Sequence, residues 1–521
     1  MNVVELEILN QLLSGIAEEM GVVLRRSAFS PNIRERCDFS CAIFDEKGEL
    51  CAQASHIPVH LGAMPETMKH LRNYFHWKAG DIAITNDPYQ GGTHLPDITV
   101  VKPLFYQGRL RFFLVVRAHH ADVGGRYPGS MAPTTHIEEE GVIIPPSLII
   151  ERGRLNTDLW EGFLKRVRNP VEREGDLKAQ LASLERGERR LIELLQAYGE
   201  EKVLDLIDEL KNYSERAFLK LLSFSQKGKS SFTDYLDDDG FSTEKIPIKV
   251  EVSISEKRAL VDFTGTSKMV KGPVNAPRAV ALSAVYYVFF SLLSRLGEYP
   301  INEGILRRIE VITPEGSLVN AQYPAPVSAG NVETSQRIVD ALLGALAELM
   351  PEFVQAASCG SMNNVAFGNE VWAYYETIGG GMGGRLGLPG LSGVHTHMTN
   401  TMNTPIEVLE SIYPVRIERY ALRKGSGGLG KYPGGDGLVR TYLFLEELEV
   451  SLLTDRRKTR PYGLFGGLPG KAGINYLIKK GARIPLPSKV SLRVKKGERI
   501  SLYTPGGGGY GSINHKREKP K

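Results

Sequence analysis

Histidines and aspartates that could bind a metal ion are concentrated in one stretch of this chain. His94 and Asp97 stand three residues apart, and residues 119–122 read His-His-Ala-Asp. Of the 11 histidines, eight lie between positions 56 and 136. Imidazole nitrogens bind zinc, iron, manganese and other divalent ions, and a neighbouring carboxylate favours a harder ion or a catalytic zinc that keeps a water. The clustering predicts one divalent-metal site.

Each of these residues also has an ordinary structural explanation. A single histidine is more often a surface or hydrogen-bonded residue than a ligand. Asp38, a further acid in the same part of the chain, is equally able to close the coordination shell or to form a salt bridge with Arg34 or Arg36. His395 and His397 would share one face of a strand, but their polar surroundings predict a loop. Substrate contact or a structural role is therefore favoured there over a second metal site.

Eight short motifs spread over nearly the whole chain carry a resemblance to a known family. They are Asn86 to Tyr89, Gly91 to Asp97, Arg117 to Gly125, Glu139 to Pro146, Gly175 to Gln180, Asn275 to Pro277, His395 to Thr401 and Pro505 to Gly511. Together they resemble the hydantoinase B/oxoprolinase family. That family includes the second subunits of ATP-dependent hydantoinases and lactamases, the C-terminal half of 5-oxoprolinases and a subunit of ketone carboxylases.

The resemblance implies a metal ion held by Asp38, His94, Asp97 and His119, with zinc as the favoured ion and manganese or iron as alternatives. His119 is chosen over His120 by the family pattern alone. Because adjacent residues on an extended segment point to opposite sides, only one of the pair can easily face the ion. His120 is then a candidate for orienting the substrate or a ligand, and therefore for a catalytic role.

Two glycine motifs match nucleotide-binding loops but lack what such loops need. Residues 425–431 fit the first seven positions of a P-loop, yet Tyr432 replaces the residue that would bind magnesium, and Pro433 forbids the following helix. Residues 379–384 read Gly-x-Gly-x-x-Gly, but a Leu-Gly-Leu-Pro-Gly run follows in place of a helix. Close backbone packing, or a loop lining the active-site cleft, is the better interpretation of both. The resemblance implies that ATP binds instead to a hydantoinase A-like partner subunit.

The chain is thus expected to be the metal-dependent subunit of an ATP-dependent cyclic amidohydrolase in a hetero-oligomer. Its substrate would be a hydantoin, 5-oxoproline or a lactam. The hypothesis is that the partner phosphorylates the amide or carbonyl oxygen and that water on the metal attacks the carbon. Glu139 or Glu140 is a candidate proton shuttle, although a solvated acidic turn at 138–140 explains these acids at least as well. The alternatives are a subunit of an ATP-dependent ketone carboxylase and a non-catalytic scaffold whose metal is structural.

Composition agrees with a large globular enzyme. The chain has 521 residues, more than one hydrophobic core usually supports, so two or three domains are expected. A net charge of +4 from 64 basic and 60 acidic residues implies no nucleic-acid partner. With no signal-peptide pattern and no apolar run approaching membrane-spanning length, a cytoplasmic protein without a membrane segment is expected. The four cysteines are expected to be reduced core thiols.

The hydrophobic patterns predict an α/β fold of the mixed α+β type in several domains. The first region, 1–228, would carry the metal site and a helical segment over 177–224. The second, 229–330, contains a hairpin over 248–263. The third, 331–521, would be an α+β region with a β-rich, glycine-rich C-terminal part and a helix ending before Pro351. Strands are predicted at 41–44, 49–52, 82–84, 98–101 and 112–116, after a first helix with apolar residues at 6–20. The metal residues would then lie at strand ends, where a sheet holds them rigidly.

Overall fold

The computed structural model describes residues 3–54 and 56–513, and within them helices accompany four β-sheets. The helices are α1 Val3–Ser27, α2 Pro31–Arg34, α3 Ala63–Leu71, α4 Ile137–Glu140, α5 Thr157–Leu164, α6 Pro170–Tyr198, α7 Glu200–Ser223, α8 Arg278–Leu293, α9 Glu303–Leu306, α10 Ser335–Leu349 and α11 Ile406–Ile412. Short 3-10 turns lie at Pro58–His60, Pro88–Gln90, Pro128–Ser130 and Ser294–Leu296, and a π-helical turn at Gly330–Thr334. The predicted mixed, multidomain fold is confirmed.

The strands are distributed over a seven-stranded sheet, two four-stranded sheets and a five-stranded sheet within the described residues. They are β1 Phe39–Asp45, β2 Leu50–Gln53, β3 Ile82–Thr85, β4 Asp97–Tyr106, β5 Arg109–His119, β6 Ser147–Glu151, β7 Arg154–Leu155, β8 Gly228–Leu236, β9 Ile246–Ile254, β10 Ala259–Asp262, β11 Ile309–Ile312, β12 Asn364–Gly368, β13 Ala373–Glu376, β14 Val415–Arg423, β15 Gly437–Phe444, β16 Leu448–Leu453, β17 Ile474–Lys479, β18 Ala482–Leu486, β19 Lys489–Val494 and β20 Arg499–Tyr503.

The seven-stranded sheet, in the order β2-β1-β5-β4-β3-β6-β7, is covered on both faces. Alternate side chains of each strand point to opposite faces, so Leu114 and Val116 of β5 pack beneath α1 and α6. Phe113 and Val115 of the same strand pack instead against α3 and Trp77. The first helix, the predicted strands and the 177–224 helices are confirmed. The sheet is therefore a rigid frame whose strand ends can hold side chains in fixed positions.

The middle of the chain forms a second sheet in the order β11-β10-β9-β8. The predicted hairpin is the antiparallel pair β9 and β10. Helix α10 packs on β8 and β9, although its residues belong to the region 331–521. Leu342 and Leu346 of this helix share a core cluster with Val250 and Val252 of β9. Residues from both sides of the predicted boundary at 330 thus build one core.

One helical stretch, Arg278–Leu296, is long and apolar enough to cross a membrane by length and composition. No uninterrupted apolar run in this stretch approaches that length, as expected, because serines interrupt it. In the structure, 72% of its apolar window is buried. It packs against α10 and the turn at Pro58–His60. A helix that is apolar on all sides is typical of a buried core helix as well as of a membrane span.

The remaining two sheets, β13-β12-β16-β19 and β14-β15-β20-β17-β18, enclose the third region's core. Beside them, glycine-rich segments pack backbone against backbone. The Gly384 amide donates to the Gly508 carbonyl, and the Gly435 amide donates to the Met382 carbonyl. A methyl group at Gly383 would lie 1.8 Å from the carbonyl oxygen of Ala356. The predicted close-packing role of the glycine motifs is confirmed.

This packing predicts that Gly383→Ala destabilises the protein, because the added methyl has no space and backbone must move. We expect a loss of about 1–3 kcal/mol or more, measured as a lowered midpoint of thermal unfolding. Gly162→Ala is the matched control, since Gly162 lies in α5 with no atom within 4 Å of a new methyl. That variant should gain up to about 1 kcal/mol from helix propensity. Equal unfolding midpoints for the two variants would contradict the packing.

Candidate functional site

Three of the predicted ligands meet where β4 begins and β5 ends. Asp97 and His119 are direct partners across this antiparallel pair, and His94 lies in the loop before β4. Their ligand atoms lie within 4.8 Å of one another, and all three side chains are buried. Across residues 3–54 and 56–513, no other group of three His, Cys, Asp or Glu side chains meets that distance.

The loop that carries His94 is held by the side chain of Asn86. The Asn86 amide nitrogen donates to the carbonyl oxygens of Leu95, at 2.8 Å, and Val142, at 2.9 Å. Its amide oxygen accepts from the Ile144 backbone, at 2.7 Å. Gly91 has φ +89°, a left-handed conformation that favours glycine, and a side chain there would strike Thr67. The turn-rich sequence thus folds into a fixed loop that points His94 at Asp97.

Asp97 lies at the centre of the cluster. Its Oδ2 accepts a hydrogen bond from the Thr93 hydroxyl and lies 3.4 Å from His60 Nε2. Its Oδ1 lies 3.3 Å from His94 Nε2 and has no hydrogen-bond partner. Burial disfavours the carboxylate charge, but the imidazoles of His94 and His60 outweigh burial and hold the pKa of Asp97 well below its usual range. The group is therefore an anion.

Burial favours the neutral form of two imidazoles beside Asp97, those of His119 and His60. It holds the pKa of His119 well below its usual range. Burial also lowers the pKa of His60, against the attraction of Asp97. A neutral imidazole is the form that binds metal ions. His119 Nδ1 contacts the Asn32 amide nitrogen at 3.1 Å, whereas its Nε2 is buried without a hydrogen-bond partner.

Asp38 lies just before β1. It lines a cavity that Asp97 and His119 also line, but its carboxylate is outside the cluster of His94, Asp97 and His119. Burial raises its pKa to about 6, although Arg36, whose Nη2 lies 3.7 Å from the carboxylate, lowers it. Its backbone carbonyl accepts from the His119 amide at 3.0 Å. The structure therefore brings the fourth predicted ligand to the site as a neighbour that is paired with an arginine.

A cavity of about 20 Å³, room for about one water molecule, lies beside these residues. Its walls come from the first region, from the π-helical turn and from distant parts of the third region. They are Asp38, Ile57, Val59, His60, Asp97, His119, Asn331, Val332, Met362, Tyr375, Thr377, Met398, Thr399 and Thr401. The wall thus combines an apolar side of isoleucine, valine and methionine with hydroxyl and amide groups.

Arg36 joins the third region to the predicted ligands. It donates to the Tyr375 carbonyl at 3.0 Å, to the Thr377 hydroxyl at 3.1 Å and to the Thr401 hydroxyl at 3.4 Å. The Tyr375 ring in turn stacks on His119, with centroids 4.8 Å apart and planes 11° apart. The site is therefore complete only when the first and third regions are packed together.

Neither of the predicted catalytic residues lines this cavity. His120 points to the other side of the strand, where its Nε2 contacts Gln180 of α6 at 2.9 Å. Glu139 is half-buried at the surface, where it binds Arg126 at 3.0 Å and accepts from Thr135. Neighbouring Glu140 is the buried acid of this turn, with its pKa raised to about 7 by burial.

The other sequence motifs also lie in well-defined surroundings. His397 contacts Asp340, 3.7 Å away, and the Tyr287 hydroxyl.

The P-loop-like segment has no helix after it, and its amides at 425–427 donate to the carboxylate of Asp436. The groups that would hold phosphate are thus occupied by an acid of the same chain. The four cysteines are free.

Several site residues were not found by sequence reasoning. His60 belongs to the same histidine-rich stretch, so that clustering was the signal for it. Asn331, which contacts His94 at 3.1 Å, and Tyr375 lie more than 200 residues away in the chain and match no metal-binding spacing. Only the tertiary fold brings them to the site.

The residues present fit a divalent cation. His94 Nδ1, Asp97 Oδ1 and His119 Nε2 are buried and have no hydrogen-bond partner. Buried polar atoms are nearly always satisfied, and leaving one unpaired costs about 1–3 kcal/mol. A cation would satisfy such lone pairs. A donor set of imidazole nitrogen and carboxylate oxygen suits zinc, manganese or iron.

Comparison with known proteins identifies a family that matches almost the whole chain. The sequence profile described as Hydantoinase B/oxoprolinase matches residues 2–513. The chain is 41% identical to 5-oxoprolinase 1 of Arabidopsis thaliana, covering 98% of this chain but 42% of the plant protein. It is 34% identical to one subunit of a putative D-/L-hydantoinase from a Pseudomonas species, covering 96% and 88% of the two chains.

Two solved structures share the architecture. The ATP-dependent caprolactamase from Pseudomonas jessenii superposes with a TM-score of 0.91 at 30% identity, covering 98% of this chain and 91% of that one. Nucleotide-free acetone carboxylase gives a TM-score of 0.86 at 19% identity, covering 97% and 76%, which shows a shared fold alone.

The clustered ligands predict that the purified chain carries about one divalent ion and that losing a ligand releases it. His94→Ala and Asp97→Ala should be metal-free by elemental analysis. His120→Ala should keep its metal, because His120 faces α6. Full metal occupancy in both ligand variants, or loss of metal from His120→Ala alone, would contradict this assignment.

Proposed function

Because the chain belongs to the hydantoinase B/oxoprolinase family, we propose that it is the metal-dependent subunit of a cytoplasmic, ATP-dependent cyclic amidohydrolase. Its substrate is a small cyclic amide, namely a hydantoin, 5-oxoproline or a lactam. It works in a hetero-oligomer with a hydantoinase A-like subunit that binds ATP. The observation that carries this proposal is the buried cluster of His94, Asp97 and His119, each with a ligand atom that has no hydrogen-bond partner. Asp97 and His119 also line the cavity.

His94, Asp97 and His119 would hold the metal ion, with Asp38 as the fourth ligand implied by the family pattern. When bound, a divalent ion supplies Lewis-acid polarisation of a carbonyl or phosphoryl oxygen and lowers the pKa of water. The low pKa of Asp97 keeps it anionic, and the low pKa of His119 keeps its imidazole neutral. Both are the forms needed for ligation.

The side chains that line the cavity are of the types that contact a small cyclic amide, and the cavity must widen to admit the ring. Val59, Val332 and Met398 form an apolar side against which ring methylene groups can pack. Thr377 and Asn331 offer hydroxyl and amide groups to the polar edge of an amide. The stacked Tyr375 ring covers His119 and excludes water from that side. These contacts orient a ring so that its carbonyl faces the ligand cluster.

The need for a partner is supported by two observations. The P-loop-like amides are occupied by Asp436, so this chain offers no phosphate cradle there. The chain spans 42% of the plant 5-oxoprolinase, whereas it covers 88% of a Pseudomonas protein named as one subunit of a hydantoinase. These coverages fit an ATP-binding part that belongs to the same chain in the plant protein and to a separate subunit in the Pseudomonas protein.

A ketone carboxylase subunit is the second candidate, favoured by the fold shared with acetone carboxylase. Both candidates use the same cavity, and they differ in whether bicarbonate is consumed. A scaffold subunit with a structural metal is the third, and a closed shell of four protein ligands would favour it. Asp38 lies outside the cluster of three, and an exchangeable water in its place at the fourth position would favour catalysis.

The reconstituted complex tests the proposal directly. ATP consumption is measured with hydantoin, 5-oxoproline, a lactam and acetone, each with and without bicarbonate. We expect a cyclic amide to stimulate ATP hydrolysis without bicarbonate, and Asp97→Ala to abolish ring opening. Stimulation only by acetone with bicarbonate would identify a carboxylase. Full activity of Asp97→Ala would identify a scaffold.

The isolated chain should neither bind ATP tightly nor hydrolyse it, because the P-loop-like segment lacks the helix and the magnesium ligand that phosphate binding needs. Calorimetric titration of ATP into the chain and into Lys431→Ala measures this. Micromolar binding that the substitution removes would show that residues 425–431 form a true nucleotide site.

A further inference from the structure

Two buried hydrogen bonds lead from the Ile57 amide through Ser40 to His60, which lies beside Asp97 Oδ2. The Ile57 amide donates to Ser40 Oγ at 3.1 Å, and Ser40 Oγ contacts His60 Nδ1 at 2.8 Å. His60 Nε2 then faces Asp97 Oδ2, 3.4 Å away. Ser40 belongs to β1, and His60 ends the 3-10 turn Pro58–His60. Two elements of the first region therefore meet at this carboxylate.

The surroundings of His60 favour one tautomer. Within the described part of the chain, Ser40 Oγ has two hydrogen-bond partners, the Ile57 amide and His60 Nδ1. The amide is a donor, so the hydroxyl accepts from it and can donate its own hydrogen to Nδ1. The other tautomer would leave that hydrogen without an acceptor and turn the Nε2 lone pair toward the Asp97 carboxylate. An imidazole that accepts at Nδ1 carries its proton on Nε2. The N–H of His60 consequently points toward Asp97.

The two oxygens of Asp97 are therefore in different surroundings. Oδ2 accepts from the Thr93 hydroxyl and faces the His60 N–H. Oδ1 has no hydrogen-bond partner and faces His94. Holding one carboxylate oxygen leaves the other directed at the cluster of ligand atoms.

We propose that Ser40 and His60 are positioning residues that orient Asp97 for metal binding. This inference rests on the proposed metal site. His60 is separate from the implied ligand set, because it faces Oδ2 and lies outside the cluster of His94, Asp97 and His119. Hydrogen-bond partners of metal ligands fix ligand orientation, and their loss typically weakens metal affinity 10- to 100-fold.

The test measures zinc affinity of the full-length chain by competition with a chromophoric chelator. His60→Leu removes the donor and should weaken zinc binding about 10- to 100-fold. His60→Gln places an amide N–H near the former Nε2 and should recover most of that loss. Ser40→Ala frees the tautomer and should cause a smaller loss than His60→Leu. His120→Leu is the control, since it replaces a buried histidine beside a ligand without touching Asp97, and its affinity should match wild type.

Each outcome decides the proposal. Unchanged zinc affinity in His60→Leu overturns it, and so does complete loss of binding, since His60 would then be a ligand. Should His60→Leu not fold, as judged by circular dichroism, wild-type affinity in Ser40→Ala overturns the proposal. A wild-type chain that binds no zinc, manganese or iron overturns the proposed metal site together with this role. Binding in wild type that His94→Ala loses and His60→Leu keeps overturns the positioning role alone.

Discussion

The pairing of Asp97 with His119 across the antiparallel strands β4 and β5 is the constraint on which the site depends. Directly opposed residues in such a pair have Cα atoms within about 4.5–5.5 Å, so backbone hydrogen bonding alone holds the carboxylate beside the imidazole. The sheet beneath is buried on both faces, which makes this spacing insensitive to side-chain motion. A one-residue slip of one strand against the other would place Asp97 and His119 on opposite faces of the sheet. The register of the sheet therefore sets the geometry of these two ligands.

The charges of the site are balanced by the third region. Burying Asp97 with Asp38 nearby places two carboxylates in one low-dielectric pocket, which raises the pKa of Asp38 to about 6. Arg36 offsets this charge, and it can do so only because the carbonyl of Tyr375 and the hydroxyl of Thr377 satisfy its guanidinium. An unpaired buried guanidinium would be costly. The domain packing that closes the cavity therefore also stabilises the acids within it.

Local patterns predicted the frame and indicated the pair His94 and Asp97, because alternation of apolar residues and the spacing of this pair are properties of short segments. His119 was assigned by resemblance to the family. The partners of His94 and His119 from distant parts of the chain, Asn331 and Tyr375, follow from contacts between segments hundreds of residues apart, which no local pattern encodes.

Proximity in sequence was misleading for Glu139, because the chain turns it outward to Arg126. The alternation of strand side chains was reliable, since it placed His119 and His120 on opposite sides. Composition did not anticipate the buried apolar stretch Arg278–Leu296, whose polar serines interrupt the run.

The central claim is that one divalent cation binds between the carboxylate of Asp97 and the imidazole of His119. Anomalous X-ray diffraction from crystals of the purified protein, collected above and below the absorption edge of its bound metal, measures the position directly. The account predicts a single anomalous peak within coordination distance of Asp97 Oδ1 and His119 Nε2, about 2.0–2.2 Å for zinc. A peak at any other place in the chain, with none at Asp97, would contradict it.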